Sequence, residues 1–91
     1  MRTLALETDP LAVDVTFSAD AFRVALEDGR ELSIPLAWFP RLLRASPEQR
    51  QNWELIGRGE GVHWDELDED ISVAGLLAGR GDQTRARTRA A

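Results

Sequence analysis

The chain contains no cysteine, which excludes a disulfide framework, a thiolate zinc site and a cysteine nucleophile. Lysine is missing as well: all 11 basic residues are arginine, set against 16 acids and 1 histidine. No apolar run approaches the roughly 20 residues that cross a bilayer. The opening stretch from Met1 to Glu7 is too short in apolar residues for a secretory signal. A cytoplasmic protein with no membrane contact is expected. The glycine-rich stretch Gly57-Arg58-Gly59-Glu60-Gly61 lacks a lysine-serine or lysine-threonine ending. It also places an acid where a phosphate needs amides or cations. It reads as a turn.

What remains is a single small domain. The 91 residues lie near the lower limit for unaided folding, where roughly 60–65% of the unfolded surface is buried and nearly every large apolar side chain is needed. At 43% hydrophobic and 30% charged the composition is that of a globular protein. The net charge of -5 is unevenly spread. Residues 80–91 hold Arg80, Arg85, Arg87 and Arg89 against Asp82, whereas residues 1–79 are strongly acidic. An acidic body repels a phosphate backbone, so the body is not expected to bind nucleic acid, a role left to the arginines of the tail. The expected organisation is one domain over 1–79 and a disordered Arg-rich tail over 80–91.

Along the chain, residues 1–10 read as a leader or an edge strand ending in the turn signal Asp9-Pro10. Val13, Val15 and Phe17 alternate with Asp14 and Thr16, as do Phe22, Val24 and Leu26 with Arg23 and Ala25; Leu32 and Ile34 mark a third strand. A two-residue Asp28-Gly29 loop sets one strand's apolar face against the other's polar face. A three-residue loop, Glu27-Asp28-Gly29 with Gly29 left-handed, pairs Val24 with Leu32 and Phe22 with Ile34, and is preferred. Pro35 ends the third strand. Pro40 suits the first position of a short helix with Phe39, Leu42 and Leu43 on one side. Ser46-Pro47-Glu48-Gln49 spells a capping box for a second helix reaching Asn52 or Trp53. Glu54-Leu55-Ile56 and Val62-His63-Trp64 form a hairpin, and Ser72 caps a helix from Val73 to Ala78 with Gly79 beyond it. The fold class is α+β: a small antiparallel sheet, made of a three-stranded meander plus a short hairpin, with short helices packed on one face.

The segment from Gly61 to Leu77 concentrates the chemistry. Asp68-Glu69-Asp70 offers clustered oxygens, but an EF-hand counted from Asp68 needs glycine at Val73 and glutamate at Gly79. Asp68 or Asp70 is instead expected to cap the helix that starts near Ser72. His63 falls on the opposite face from Val62 and Trp64, held by Asp65 or Asp68, with no serine arranged for activation. No metal, cofactor or catalytic residue is expected. Trp38, Phe39, Trp53 and Trp64 are more rings than so small a body can bury entirely, and exposed tryptophan anchors protein interfaces. The candidate interaction surface is therefore Trp38, Phe39, Trp53, His63, Trp64, Asp68 and Asp70.

Gly61-Val62-His63-Trp64, then Leu67-Asp68-Glu69-Asp70-Ile71-Ser72-Val73 and Gly75-Leu76-Leu77, resemble the signature of the bacterial domain of unknown function 2442 family. Pro35-Leu36-Ala37-Trp38-Phe39-Pro40-Arg41-Leu42-Leu43 and Asn52-Trp53-Glu54 resemble the same family, which often has proline where this chain has Asp65. The resemblance implies a small α+β domain with an antiparallel sheet and supplies no catalytic residues. It also implies a gene neighbour from a second small family, a pairing read as a toxin–antitoxin system, and in some relatives a fused helix-turn-helix domain that has no counterpart here. The function expected is a non-enzymatic protein-interaction module, antitoxin-like or regulatory, whose partner is a small basic toxin-like protein or a second copy in a homodimer. A nucleic-acid-associated transcriptional regulator using the tail is the alternative.

Overall fold

A computed structural model describes residues 10–79. The readings of residues 1–9 and of the arginine tail lie outside that range.

The first sheet is a meander of β1 (Ala12–Phe17), β2 (Ala21–Leu26) and β3 (Glu31–Pro35), antiparallel in the order β1-β2-β3. Parity decides the second turn as expected: Val24 pairs with Leu32 and Phe22 with Ile34. The Leu26 amide donates to the Arg30 carbonyl at 2.9 Å, and Gly29 adopts a φ of 95°. Asp28 accepts from the Arg30 amide at 3.1 Å and from its Nε at 2.9 Å. The amide above all, helped by the guanidinium, holds the Asp28 carboxyl below its usual range. One strand departs from simple alternation. The register steps from Ala12 opposite Leu26 to Asp14 opposite Ala25, leaving Val13 as an extra residue. This bulge turns Ala12 inward and Val13 outward, so Val13 is exposed and not part of the apolar stripe.

Three short helical pieces follow: a 3-10 turn (Leu36–Trp38), α1 (Pro40–Leu43) and α2 (Pro47–Gln51). Pro40 and Pro47 occupy first positions, where a missing N–H costs nothing. The capping box of α2 is complete, with Ser46 Oγ accepting from the Gln49 amide at 3.1 Å and Gln49 Oε1 from the Ser46 amide at 2.9 Å. Phe39 and Leu42 are buried, but Leu43 is exposed, because one turn of helix cannot aim adjacent residues the same way. Arg50 closes the segment. Its Nε and Nη2 each donate at 2.9 Å to the carbonyls of Leu42 and Leu43 at the end of α1, where the Leu42 oxygen also accepts from the Ala45 amide at 3.2 Å.

The second sheet has three strands, not the two of the expected hairpin. β4 (Trp53–Ile56), β5 (Gly61–Trp64) and β6 (Glu69–Ser72) run antiparallel in the order β4-β5-β6, followed by α3 (Val73–Leu77). The acidic run is therefore a turn and a strand. Asp68, at a φ of 53°, ends the turn, its amide donating to the Asp65 carbonyl at 3.3 Å. Asp68 and Asp70 do not cap α3 as anticipated. The cap is Ser72, whose Oγ accepts from the Gly75 amide at 2.9 Å, and Gly79 takes a φ of 77° past the helix end.

Trp64 joins the two sheets. Its ring lies edge-on to Phe17 and Phe22 of the first sheet at 6.3 and 6.5 Å, while Phe22 meets Phe39 at 5.9 Å. The indole N–H donates to the Arg50 carbonyl at 3.0 Å, so the polar edge of the ring is satisfied inside the core. A main-chain seam completes the junction: the Ala12 amide donates to the Gly59 carbonyl at 2.8 Å. Gly59 has a φ of 122°, and a Cβ there would lie 2.4 Å from the Ala12 oxygen. Only glycine fits.

Candidate functional site: a histidine among carboxylates on an open sheet face

The parity of the second sheet sorts its side chains into two faces. Trp53, Trp64 and Glu69 form one row and Leu55, Val62 and Ile71 the next, both turned toward the core. The outward row is Glu54, His63 and Asp70, directly opposite one another across three strands. His63 thus stands on the face away from Val62 and Trp64, with 29% of its side chain exposed. Its Nδ1 hydrogen-bonds Asp70 Oδ1, and its Nε2 lies 3.3 Å from Asp65 Oδ1. The bond to Asp70 first, and that to Asp65 second, raise the histidine pKa above its ordinary value, against a smaller opposing effect of partial burial.

Of the expected holders, Asp65 is in place and Asp68 is not. Asp68 contributes its backbone carbonyl to Arg41 Nη1 at 2.7 Å, and the carboxylate on the other ring nitrogen comes from Asp70. The two carboxylates approach opposite edges of the ring, so they do not converge on a single point as metal ligands must. Among the described residues no group of three histidine or acidic side chains is arranged to hold a metal ion.

Behind this face lies a group that the sequence reading passed over. Glu69 is 6% exposed in the inward row, with Arg41 Nη1 3.9 Å from its Oε1. The signal was its spacing: positions 69, 71 and 73 share one parity, and Ile71 and Val73 are both core residues. The turn is tied to α2 by Gln49 Nε2 donating to Glu66 Oε2 at 3.1 Å.

The rings divide sharply. Trp38 is 39% exposed and Trp53 is partly buried against the core. Phe39, at 4%, and Trp64, at 1%, are core residues and are removed from the candidate surface. Trp64 sits in the inward row of a sheet whose counterpart supplies two phenylalanines, and Phe39 closes over Phe22. Asp68 and Asp70 are exposed. Trp38 stands on a separate element, the 3-10 turn after β3.

No described helix is long and apolar enough to cross a membrane. No curated protein matches the chain. A Rhodospirillum rubrum protein of unknown function, known from a crystal structure, is 32% identical; the match covers 82% of this chain and 93% of that one with a TM-score of 0.72. The solution structure of an uncharacterized protein from Chromobacterium violaceum is 28% identical, covering 89% of this chain and 78% of that one, also with a TM-score of 0.72. Residues 12–82 match the model of the family described as protein of unknown function (DUF2442), and the chain belongs to that family.

Proposed function

We propose that the chain is a non-catalytic protein-interaction module, antitoxin-like or regulatory, for a partner with a basic surface. The observation that carries this reading is Trp38, a large ring left 39% exposed in a domain that buries Trp64 and partly buries Trp53. Tryptophan at a surface is an efficient anchor, giving much contact area for little loss of side-chain freedom. Charge supports the choice of partner. The open face of the second sheet carries Glu54, Asp65 and Asp70, and Glu66 and Asp68 extend the acidity around the turn. Complementary charge speeds encounter with a basic protein and discriminates against acidic ones. His63 favours the non-catalytic reading, since both of its ring nitrogens already face carboxylates.

Affinity capture of the tagged chain from its own organism should retain a stoichiometric second protein. Trp38→Ala should weaken that complex by about 2 kcal/mol, roughly thirtyfold in Kd, with the fold unchanged. A partner that inhibits growth alone and is neutralised on co-expression would establish the antitoxin form. Recovery of the bait alone, or a Trp38→Ala variant with undiminished binding, overturns the reading. The nucleic-acid alternative rests on Arg80, Arg85, Arg87 and Arg89, which lie outside the described residues. Its test is salt-sensitive DNA binding that disappears when residues 80–91 are deleted.

A further inference from the structure

The geometry around His63 has a chemical requirement of its own. A neutral imidazole carries one N–H and one lone pair, whereas an imidazolium carries two N–H donors. Asp70 and Asp65 are both acceptors, and they meet opposite nitrogens of the same ring. Only the charged ring satisfies both contacts at once. In the neutral ring, one nitrogen turns its lone pair toward a carboxylate, and that contact becomes repulsive.

We propose that His63 is a protonation-dependent clamp: when charged it ties β6 and the Asp65–Asp68 turn to β5, and when neutral it releases one of the two. The released contact is the one to Asp65, which is longer at 3.3 Å and belongs to a side chain 89% exposed. The surroundings reinforce the effect. The groups facing His63 are Glu54 from β4, Asp70 from β6 and Asp65 from the turn. Among the described residues no arginine forms an ion pair with any of the three. Loss of the proton therefore leaves Asp70 and Asp65 without their cation, on a face that also carries Glu54 across the strand. The clamp operates whether or not the domain has a partner.

The direction with pH follows from the raised pKa. Because the folded value lies above the ordinary 6.5, the stabilisation is complete below about pH 6.5 and is lost as pH rises through the folded value. The test is an NMR titration of the full chain, following the imidazole signals of His63 together with the amides of Asp65, Asp70 and their neighbours. Amide protection, corrected for intrinsic exchange, is measured across the same range. His63 should titrate above 6.5, with both ring nitrogens protonated in the low-pH form, and protection of the turn and β6 should fall along the same curve. Asp70→Asn should move the titration downward, and His63→Gln should remove the pH dependence of protection. Should His63→Gln fail to fold, Asp65→Asn keeps the question open to measurement by lowering the midpoint less than Asp70→Asn does. A midpoint at or below 6.5, or a hairpin whose protection ignores the His63 titration, overturns the proposal.

Discussion

On the first sheet an outward residue of the central strand is Arg23, with Glu31 3.8 Å away; on the second it is His63, between Asp70 and Asp65. Both faces are solvated, and both place a basic side chain beside acid, one carboxylate for Arg23 and two for His63. The difference lies in permanence. A guanidinium keeps its charge at every pH a cell reaches, whereas an imidazole titrates within that range. An exposed ion pair such as Arg23–Glu31 is worth at most about 1 kcal/mol and is insensitive to pH near neutrality. The first sheet is thus built with fixed charges and the second with a conditional one. The same architecture yields an inert surface and a responsive one.

The comparison can be broken most forcefully at the point the sheets share. Trp64→Ala should cost about 3–5 kcal/mol in urea unfolding, a large part of the stability of any small domain. Because Trp64 touches Phe17 and Phe22, both sheets should melt in one transition. Two separate transitions would mean that the sheets are independent units. Next in size is the contrast between turn glycines. Gly59→Ala should cost about 2–3 kcal/mol, since it combines a φ of 122° with a Cβ 2.4 Å from backbone oxygen. Gly29→Ala, at a φ of 95° but with open space around it, should cost about 1–2 kcal/mol. Equal losses would show that the seam at Ala12 adds nothing.

Smaller still are the charge exchanges, which sharpen the comparison directly. His63→Arg should flatten the pH dependence of the thermal midpoint between pH 5 and 9. Arg23→His should give the first sheet only a weak dependence, as it has one acid at 3.8 Å where His63 has two carboxylates in contact. Last comes Trp38→Ala, which should change stability by about 0.5 kcal/mol, the usual range for a surface substitution. A loss several times larger would place Trp38 in the core network and weaken its assignment as an anchor.

The two sheets also differed in how openly the sequence announced them. Strict alternation over Phe22-Arg23-Val24-Ala25-Leu26, with one glycine in the turn, left only one register that put both apolar sets together. Local hydrogen-bond chemistry was equally legible, as the Ser46 capping box and the Ser72 cap show. Val13 misled because a bulge shifts the phase of alternation without changing the residue types. β6 was hidden because Glu69 occupies an inward position, where an acid argues against a strand until a partner such as Arg41 is known. The site was half visible. Alternation placed His63 on the outer face, but its pairing with Asp70 required β6 to exist. Phe39 and Trp64 were grouped with the surface rings because bulk alone does not say which of several aromatics a small core will take.

The hydrogen bond from Ala12 to Gly59 has a consequence in time. During synthesis β1 precedes its seam partner, which follows only after β2, β3, the three short helical pieces and β4 have been made. Trp64, which covers Phe17 and Phe22, comes later still. The nascent first meander must therefore leave the ribosome with its apolar face uncovered, and its final docking waits for contacts between distant parts of the chain. That interval is when the domain is most open to a chaperone or to misassembly with another nascent copy. It closes when the β4–β5 turn and the strand behind it clear the exit tunnel.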